Sequence, residues 1–246
     1  MVMNRFDGRV YLISGAARGL GAATARRIVA EGGRVLVGDV LHERGQALVA
    51  ELGAAAAYQP LDVTRPEDWT AAVAAAETLG PVHGLVNNAG VYRPVALGAD
   101  NGLEEFERHV RINQTGVFLG IQSVLPALER TGTGSIVNMS STVALRSAPN
   151  AMAYTATKWA VRGMTKSAAL ELVDRGIRVN SVHPGPIDTE FLAVRTPAQN
   201  QARIQQVPMR RLGTPEEVAA AVCFLLSDES LYMTGSELAV DGGCAL

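Results

Sequence analysis

The stretch Val10-Tyr11-Leu12-Ile13-Ser14-Gly15-Ala16-Ala17-Arg18-Gly19-Leu20-Gly21 decides how the rest of the chain is read. An apolar run passes into a turn spaced G-x-x-x-G-x-G, and a pattern with helical periodicity follows at once. Glycine lets such a turn close and lets backbone approach a pyrophosphate. The helix N-terminus behind it offers unpaired N–H groups and the positive end of its dipole. A tight strand-to-helix connection would need the same glycines with no ligand at all. The argument for a cofactor therefore rests on the turn's place, directly after the first strand and before a helix.

Outward from this turn, short apolar runs recur at Val35–Val37, Gly84–Val86, Ser135–Met139, Ile177–Val182 and Glu237–Val240. Between them lie helical patterns at Leu20–Glu31, Glu43–Leu52, Pro66–Leu79, Leu103–Leu128, Ala151–Asp174 and Pro215–Leu226. Strands that are apolar throughout belong to a sheet covered on both faces, which means parallel strands with helical crossovers. The alternation runs from end to end, so the expected fold is α/β: one doubly wound, Rossmann-like domain over 1–246. Residues 188–212 carry no clear period and are interrupted by Pro197 and Pro208, which predicts an irregular substrate-binding loop.

Composition narrows the function. In 246 residues, 48% hydrophobic and 19% charged, 22 basic side chains face 24 acidic ones for a net charge of −2. No basic run is present and aromatics reach only 5%, so neither nucleic acid nor an anionic membrane is an expected partner. Cys223 and Cys244 have no metal or redox spacing and fit a reducing cytosol, so no metal site is expected. The opening residues lack signal-peptide character, and no stretch approaches the ~18 uninterrupted apolar residues of a membrane span. The expected protein is cytoplasmic.

Asp39 falls at the end of the second strand, 18 residues past Gly21. An acid there accepts a hydrogen bond from an adenosine ribose 2′-OH and repels a 2′-phosphate, which favours NAD over NADP. Arg18 is a counter-signal, since a guanidinium in the turn can reach a 2′-phosphate. No Gly-Lys-Ser/Thr phosphate loop is present, so an NTPase reading loses its main support.

The helix near Ala151 contains Tyr154-Thr155-Ala156-Thr157-Lys158. Positions four apart share a helix face, so the ammonium can lie beside the phenol. Only two of the 22 basic residues are lysines, Lys158 and Lys166, so this pairing is improbable by chance. A phenol near pKa ~10 is a poor acid–base catalyst, and bringing it toward neutrality takes roughly 4 kcal/mol. A neighbouring ammonium favours phenolate, and the positive nicotinamide of an oxidised cofactor does the same. Ser141, 13 residues before Tyr154 and just past a strand, puts a hydroxyl where it can hold a substrate oxygen. A serine at a strand end can equally cap a turn.

With these residues in hand, the whole chain resembles the short-chain dehydrogenase/reductase family. Gly15-Ala16-Ala17-Arg18-Gly19-Leu20-Gly21 resembles its cofactor motif, with Ser14 in place of the usual Thr. Asp62-Val63 resembles its adenine-binding pair, and Asn87-Asn88-Ala89-Gly90 the motif ending its fourth strand. Asn113, Ser141, Tyr154 and Lys158 match its catalytic tetrad. Pro184-Gly185 with Ile187 and Thr189 matches its nicotinamide-carboxamide segment. The resemblance implies about seven strands and a homotetramer built on the long helices and the C-terminal segment. It also implies that Lys158 holds the nicotinamide ribose and that Asn113 supports a proton relay behind it. The stretch from Tyr154 to Gly243 looks most like bacterial NAD-dependent hydroxysteroid and cyclic-alcohol dehydrogenases.

The expected reaction is reversible hydride transfer between NAD and a lipophilic secondary alcohol, with Tyr154 as acid–base group. Val143, Ala144, Phe191 and Leu192 are the expected apolar substrate contacts. Two alternatives stay open: an NADPH-dependent 3-oxoacyl-[acyl-carrier-protein] reductase, and a non-catalytic dinucleotide-binding protein. His83, His109 and His183 are expected to be structural.

Overall fold

The computed structural model describes residues 4–194 and 196–246. Among them, seven strands pair in parallel throughout: β1 Val10–Ser14, β2 Arg34–Asp39, β3 Ala56–Pro60, β4 Val82–Asn87, β5 Gly134–Met139, β6 Ile177–Pro184 and β7 Glu237–Val240. The spatial order is β3-β2-β1-β4-β5-β6-β7. It reverses direction between β1 and β4, and the crevice outside the strand ends at such a switch is where doubly wound sheets bind ligands.

Alternate residues of β1 explain why its sequence reads as one apolar run. Tyr11 and Ile13 enter a core with Ala22, Ala25 and Ile28 of helix α1 (Gly19–Ala30), Leu48 of α2 (His42–Leu52) and Val218 and Val222 of α8 (Pro215–Leu226). Val10 and Leu12 enter the opposite core, with Trp69 and Ala72 of α3 (Pro66–Leu79), Val124 and Leu128 of α5 (Gly116–Thr131), and Leu172 of α6 (Met152–Leu172). Each face is covered by helices, so no polar alternation is possible.

The structure departs from the sequence reading in three places. β3 was not anticipated: it is the edge strand Ala56-Ala57-Tyr58-Gln59-Pro60, so it lacks the β-branched signature, and its edge position tolerates the proline. The helix expected over Leu103–Leu128 is divided into α4 (Gly102–His109), a π-helical segment Val110–Thr115, and α5. A widened turn of this kind is rare and concentrates at functional sites, and here it carries Asn113.

Residues 188–212, read as irregular, form a 3₁₀ segment Glu190–Val194 and an α-helix, α7 (Pro197–Gln206). Thr196 and Gln199 close a reciprocal capping box, and Pro197 occupies the first turn, where its missing N–H costs nothing. The helix escaped the periodicity test because it buries none of its residues, so no apolar stripe exists to detect. Among the described residues, no helix is long and apolar enough to cross a membrane.

Candidate active site

β1 ends in Ser14, whose hydroxyl stitches two loops together. Its Oγ accepts the N–H groups of Asn88 and Ala89 at 3.1 and 3.2 Å and donates to the Val86 carbonyl at 3.4 Å. Asn88 returns the link, donating Nδ2–H to the carbonyls of Ser14 and Gly15. The glycine turn and the end of β4 are thereby fixed against each other. Gly15 is required twice: its φ is +64°, and a Cβ there would lie 2.6 Å from the Ala89 Cα.

Beyond the turn, α1 begins at Gly19 behind Arg18, with no capping side-chain bond and no acid in its first turn, and Gly19 and Leu20 line the cavity. Asp39, the last residue of β2, is buried. It accepts the Ala17 N–H at 2.9 Å through Oδ2 and the Leu41 N–H at 3.0 Å through Oδ1. Asp62 accepts both the N–H and hydroxyl of Thr64, while the Val63 carbonyl accepts the Trp69 indole N–H. An uncapped helix N-terminus, a buried acid at the second strand end and glycine backbone between them suit a dinucleotide.

On the other side, Tyr154 and Lys158 lie one turn apart on α6. The Lys158 Nζ sits 5.6 Å from the Tyr154 ring centroid and donates to the Met139 carbonyl at 2.7 Å. Burial pushes the Lys158 ammonium down from 10.5 to about 8. Ser141 caps the 3₁₀ turn Thr142–Ala144 by accepting the Val143 N–H at 3.3 Å, a bond that leaves its hydroxyl hydrogen available. His183, buried on β6, donates Nδ1–H to the Ser141 carbonyl at 3.2 Å and faces Ser181 Oγ through Nε2 at 2.9 Å. Burial lowers its pKa, which favours the neutral ring. Its contacts hold the Ser141 backbone, a structural role of the kind expected for the scattered histidines.

Nearly all of the expected site residues border one cavity of about 980 Å³. It brings together Gly15, Arg18, Gly19, Leu20, Asp39, Asp62, Val63, Asn88, Ala89 and Gly90 with Ser141, Val143, Tyr154 and Lys158, and with Pro184, Gly185, Ile187, Thr189, Phe191 and Leu192. Three expected residues stand outside its lining. Gly21 is a packing glycine, since a Cβ there would strike the Gly15 carbonyl at 2.4 Å. Ala144 is fully buried. Asn113 is also fully buried and pairs with Val91, donating to its carbonyl and accepting its N–H.

The structure adds lining residues that the motifs did not reveal. Tyr92 packs edge-on against Tyr154 with centroids 5.0 Å apart, and stacks on Phe191 at 5.8 Å. Two aromatic rings, Tyr92 and Phe191, thus line the cavity beside the candidate acid–base group. Gln199, Arg203 and Gln206 of α7 add a polar stretch to an otherwise apolar wall. Tyr92 lies two residues beyond Gly90, the one local signal that could have marked it.

A family model described as Enoyl-(Acyl carrier protein) reductase matches residues 15–245. The chain is 49% identical over 242 residues to a 3-alpha-(or 20-beta)-hydroxysteroid dehydrogenase of Mycobacterium tuberculosis, a match covering 97% of this chain and 90% of that protein. It is 43% identical to a 2,5-dichloro-2,5-cyclohexadiene-1,4-diol dehydrogenase of Sphingobium indicum, over 98% of this chain and 97% of that one. A crystal structure of a 3-ketoacyl-(acyl-carrier-protein) reductase from Brucella melitensis complexed with NADH superposes with a TM-score of 0.93 at 34% identity, covering 98% of this chain and 99% of that chain.

Proposed function

The chain belongs to the short-chain dehydrogenase/reductase family, and from that premise we propose that it is an NAD-dependent dehydrogenase interconverting a lipophilic, cyclic secondary alcohol and its ketone. The observation that carries this reading is the convergence of Tyr154, Lys158 and Ser141 on the cavity that Asp39 and the glycine turn border at its other side. Bound there, the nicotinamide supplies the hydride acceptor for oxidation and the hydride donor for reduction.

The remaining chemistry is proton management by this chain. Tyr154 takes the hydroxyl proton when the alcohol is oxidised and returns it when the ketone is reduced. Lys158, charged below about pH 8, favours the phenolate that accepts this proton and binds the nicotinamide ribose. Ser141 donates to the substrate oxygen, its capping bond having used only an acceptor lone pair. Asn113 acts through Val91 and so belongs to positioning. The aromatic wall of Tyr92 and Phe191 supports a flat or cyclic apolar substrate, in keeping with the cyclic substrates in the relatives' names.

Asp39 supports NAD as the cofactor, since its carboxylate disfavours a 2′-phosphate. A homotetramer is supported by exposed apolar side chains on two helices, Phe118 on α5 and Trp159 and Leu170 on α6, with Leu170 82% exposed. A cytoplasmic location completes the reading. A 3-oxoacyl-[acyl-carrier-protein] reductase is the second reading, favoured by the superposed Brucella melitensis structure. A panel of hydroxysteroids, cyclic alcohols, their ketones and a 3-oxoacyl thioester, followed by NAD(H) and NADP(H) absorbance, separates the two. Turnover confined to the thioester with NADPH would overturn the proposal.

A further inference from the structure

Glu190 opens the segment that carries Phe191, and its carboxylate is shared between two distant arginines. Arg18 Nη1 donates to Oε2 at 2.5 Å, and Arg44 Nη1 donates to Oε1 and Oε2 at 2.7 and 2.9 Å. Arg18 is the residue before α1, adjacent to Ala17, whose N–H binds Asp39. Arg44 lies in the first turn of α2, directly after the Asp39 strand end. Arg18 thus follows Ala17, and Arg44 lies three residues after Leu41, the two residues whose N–H groups bind the acid assigned to the ribose 2′-OH, and a second carboxylate holds both arginines.

A ribose 2′-phosphate carries roughly −1.5 to −2 charges near neutrality, and paired arginines are the groups best shaped to bind it. With Glu190 in place, two arginines face two carboxylates and the local charge is balanced. Without Glu190, the arginines outnumber Asp39 and both forks are released. All three side chains are about half exposed, at 52%, 52% and 54%, so these ion pairs add little to stability. Their consequence is the choice of which anion the arginines meet.

We propose that Glu190 is a cofactor-specificity residue, which discriminates against NADP by occupying Arg18 and Arg44. This inference rests on the NAD preference proposed above and divides that preference between Asp39, which repels the phosphate, and Glu190, which withholds its partners. Phe191 follows Glu190 in the chain and stacks on Tyr92. An NADP that captured the arginines would also loosen the substrate wall.

Titration of NADH and NADPH onto the full-length protein, read by cofactor fluorescence without turnover, tests this. Glu190→Gln should tighten NADPH relative to NADH by roughly fivefold or more, the worth of regained charge-assisted hydrogen bonds. Raised salt should shrink the gain, and the double variant Glu190→Gln/Arg44→Gln should lose most of it. An unchanged NADH-to-NADPH ratio in Glu190→Gln overturns the proposal, and so does an equal weakening of both cofactors. A gain that survives the loss of Arg44 overturns the two-arginine form. A wild-type protein that prefers NADPH instead overturns the reading beneath it.

Discussion

The side chain of Asn113 closes both hydrogen bonds of one residue's backbone, accepting the Val91 N–H at 2.8 Å and donating to the Val91 carbonyl at 2.9 Å. It is the last of three ties spaced four residues apart along α4 and the π-helical segment. Glu105, buried, takes the Arg93 guanidinium at 2.9 Å, and His109 accepts the Arg93 N–H through Nε2 at 3.2 Å while donating Nδ1–H to the Glu105 carbonyl. Together they hold the short loop after β4 that presents Tyr92 to Tyr154.

Asn113→Ala leaves two part-buried backbone groups of Val91 without partners, which should cost about 1–2 kcal/mol in urea denaturation. Because the loop loosens, the KM for a lipophilic alcohol should rise along with the fall in kcat. Tyr92→Ala should reproduce the KM effect with little loss of stability. If KM is unchanged in both, the loop does not set the substrate wall.

Tyr154→Phe keeps the ring and its edge-on contact with Tyr92 while removing the hydroxyl. NADH should still bind in a fluorescence titration, and kcat should fall about 10²–10⁴-fold, as expected for loss of a general acid–base group. Near-normal turnover would show that the proton goes elsewhere.

Lys158 has a stability signature of its own. Its pKa is lowered on folding from 10.5 to about 8, so between those values the unfolded chain binds a proton that the folded chain has released. Stability from this group therefore rises with pH across that window, and the cost of burying the charge, about 3 kcal/mol, is fully present below it. Lys158→Met should be inactive, yet gain stability relative to wild type most below about pH 8 and least toward 10.5. Parallel stability–pH curves for the two proteins would show that Lys158 carries no such burial cost.

Asp39→Ala should narrow a preference for NAD over NADP of roughly tenfold or more in kcat/KM, since the acid both accepts a ribose hydroxyl and repels a phosphate. The same change strips the acceptors from Ala17 and Leu41, so NAD affinity should fall as well. A wild-type enzyme using both cofactors equally would refute the assignment of Asp39.

Much of this site was legible because its signals are local. The glycine turn declared itself by following an apolar strand, and Tyr154 and Lys158 by standing one helical turn apart. Periodicity, by contrast, reports burial on a face. It missed β3, an edge strand with no β-branched residue, and α7, which buries none of its residues.

By itself, then, the sequence determined a parallel α/β sheet and marked the glycine turn and the Tyr154–Lys158 pair as candidates, since each of those signals depends on neighbours within a few residues. Only the tertiary structure decided that Asn113 stands behind the cavity wall, that Tyr92 and Phe191 meet over Tyr154, and that Glu190 reaches Arg18 from 172 positions away. Those relationships arise where separate crossover segments converge at the strand ends, and no local spacing encodes which of their polar side chains will meet.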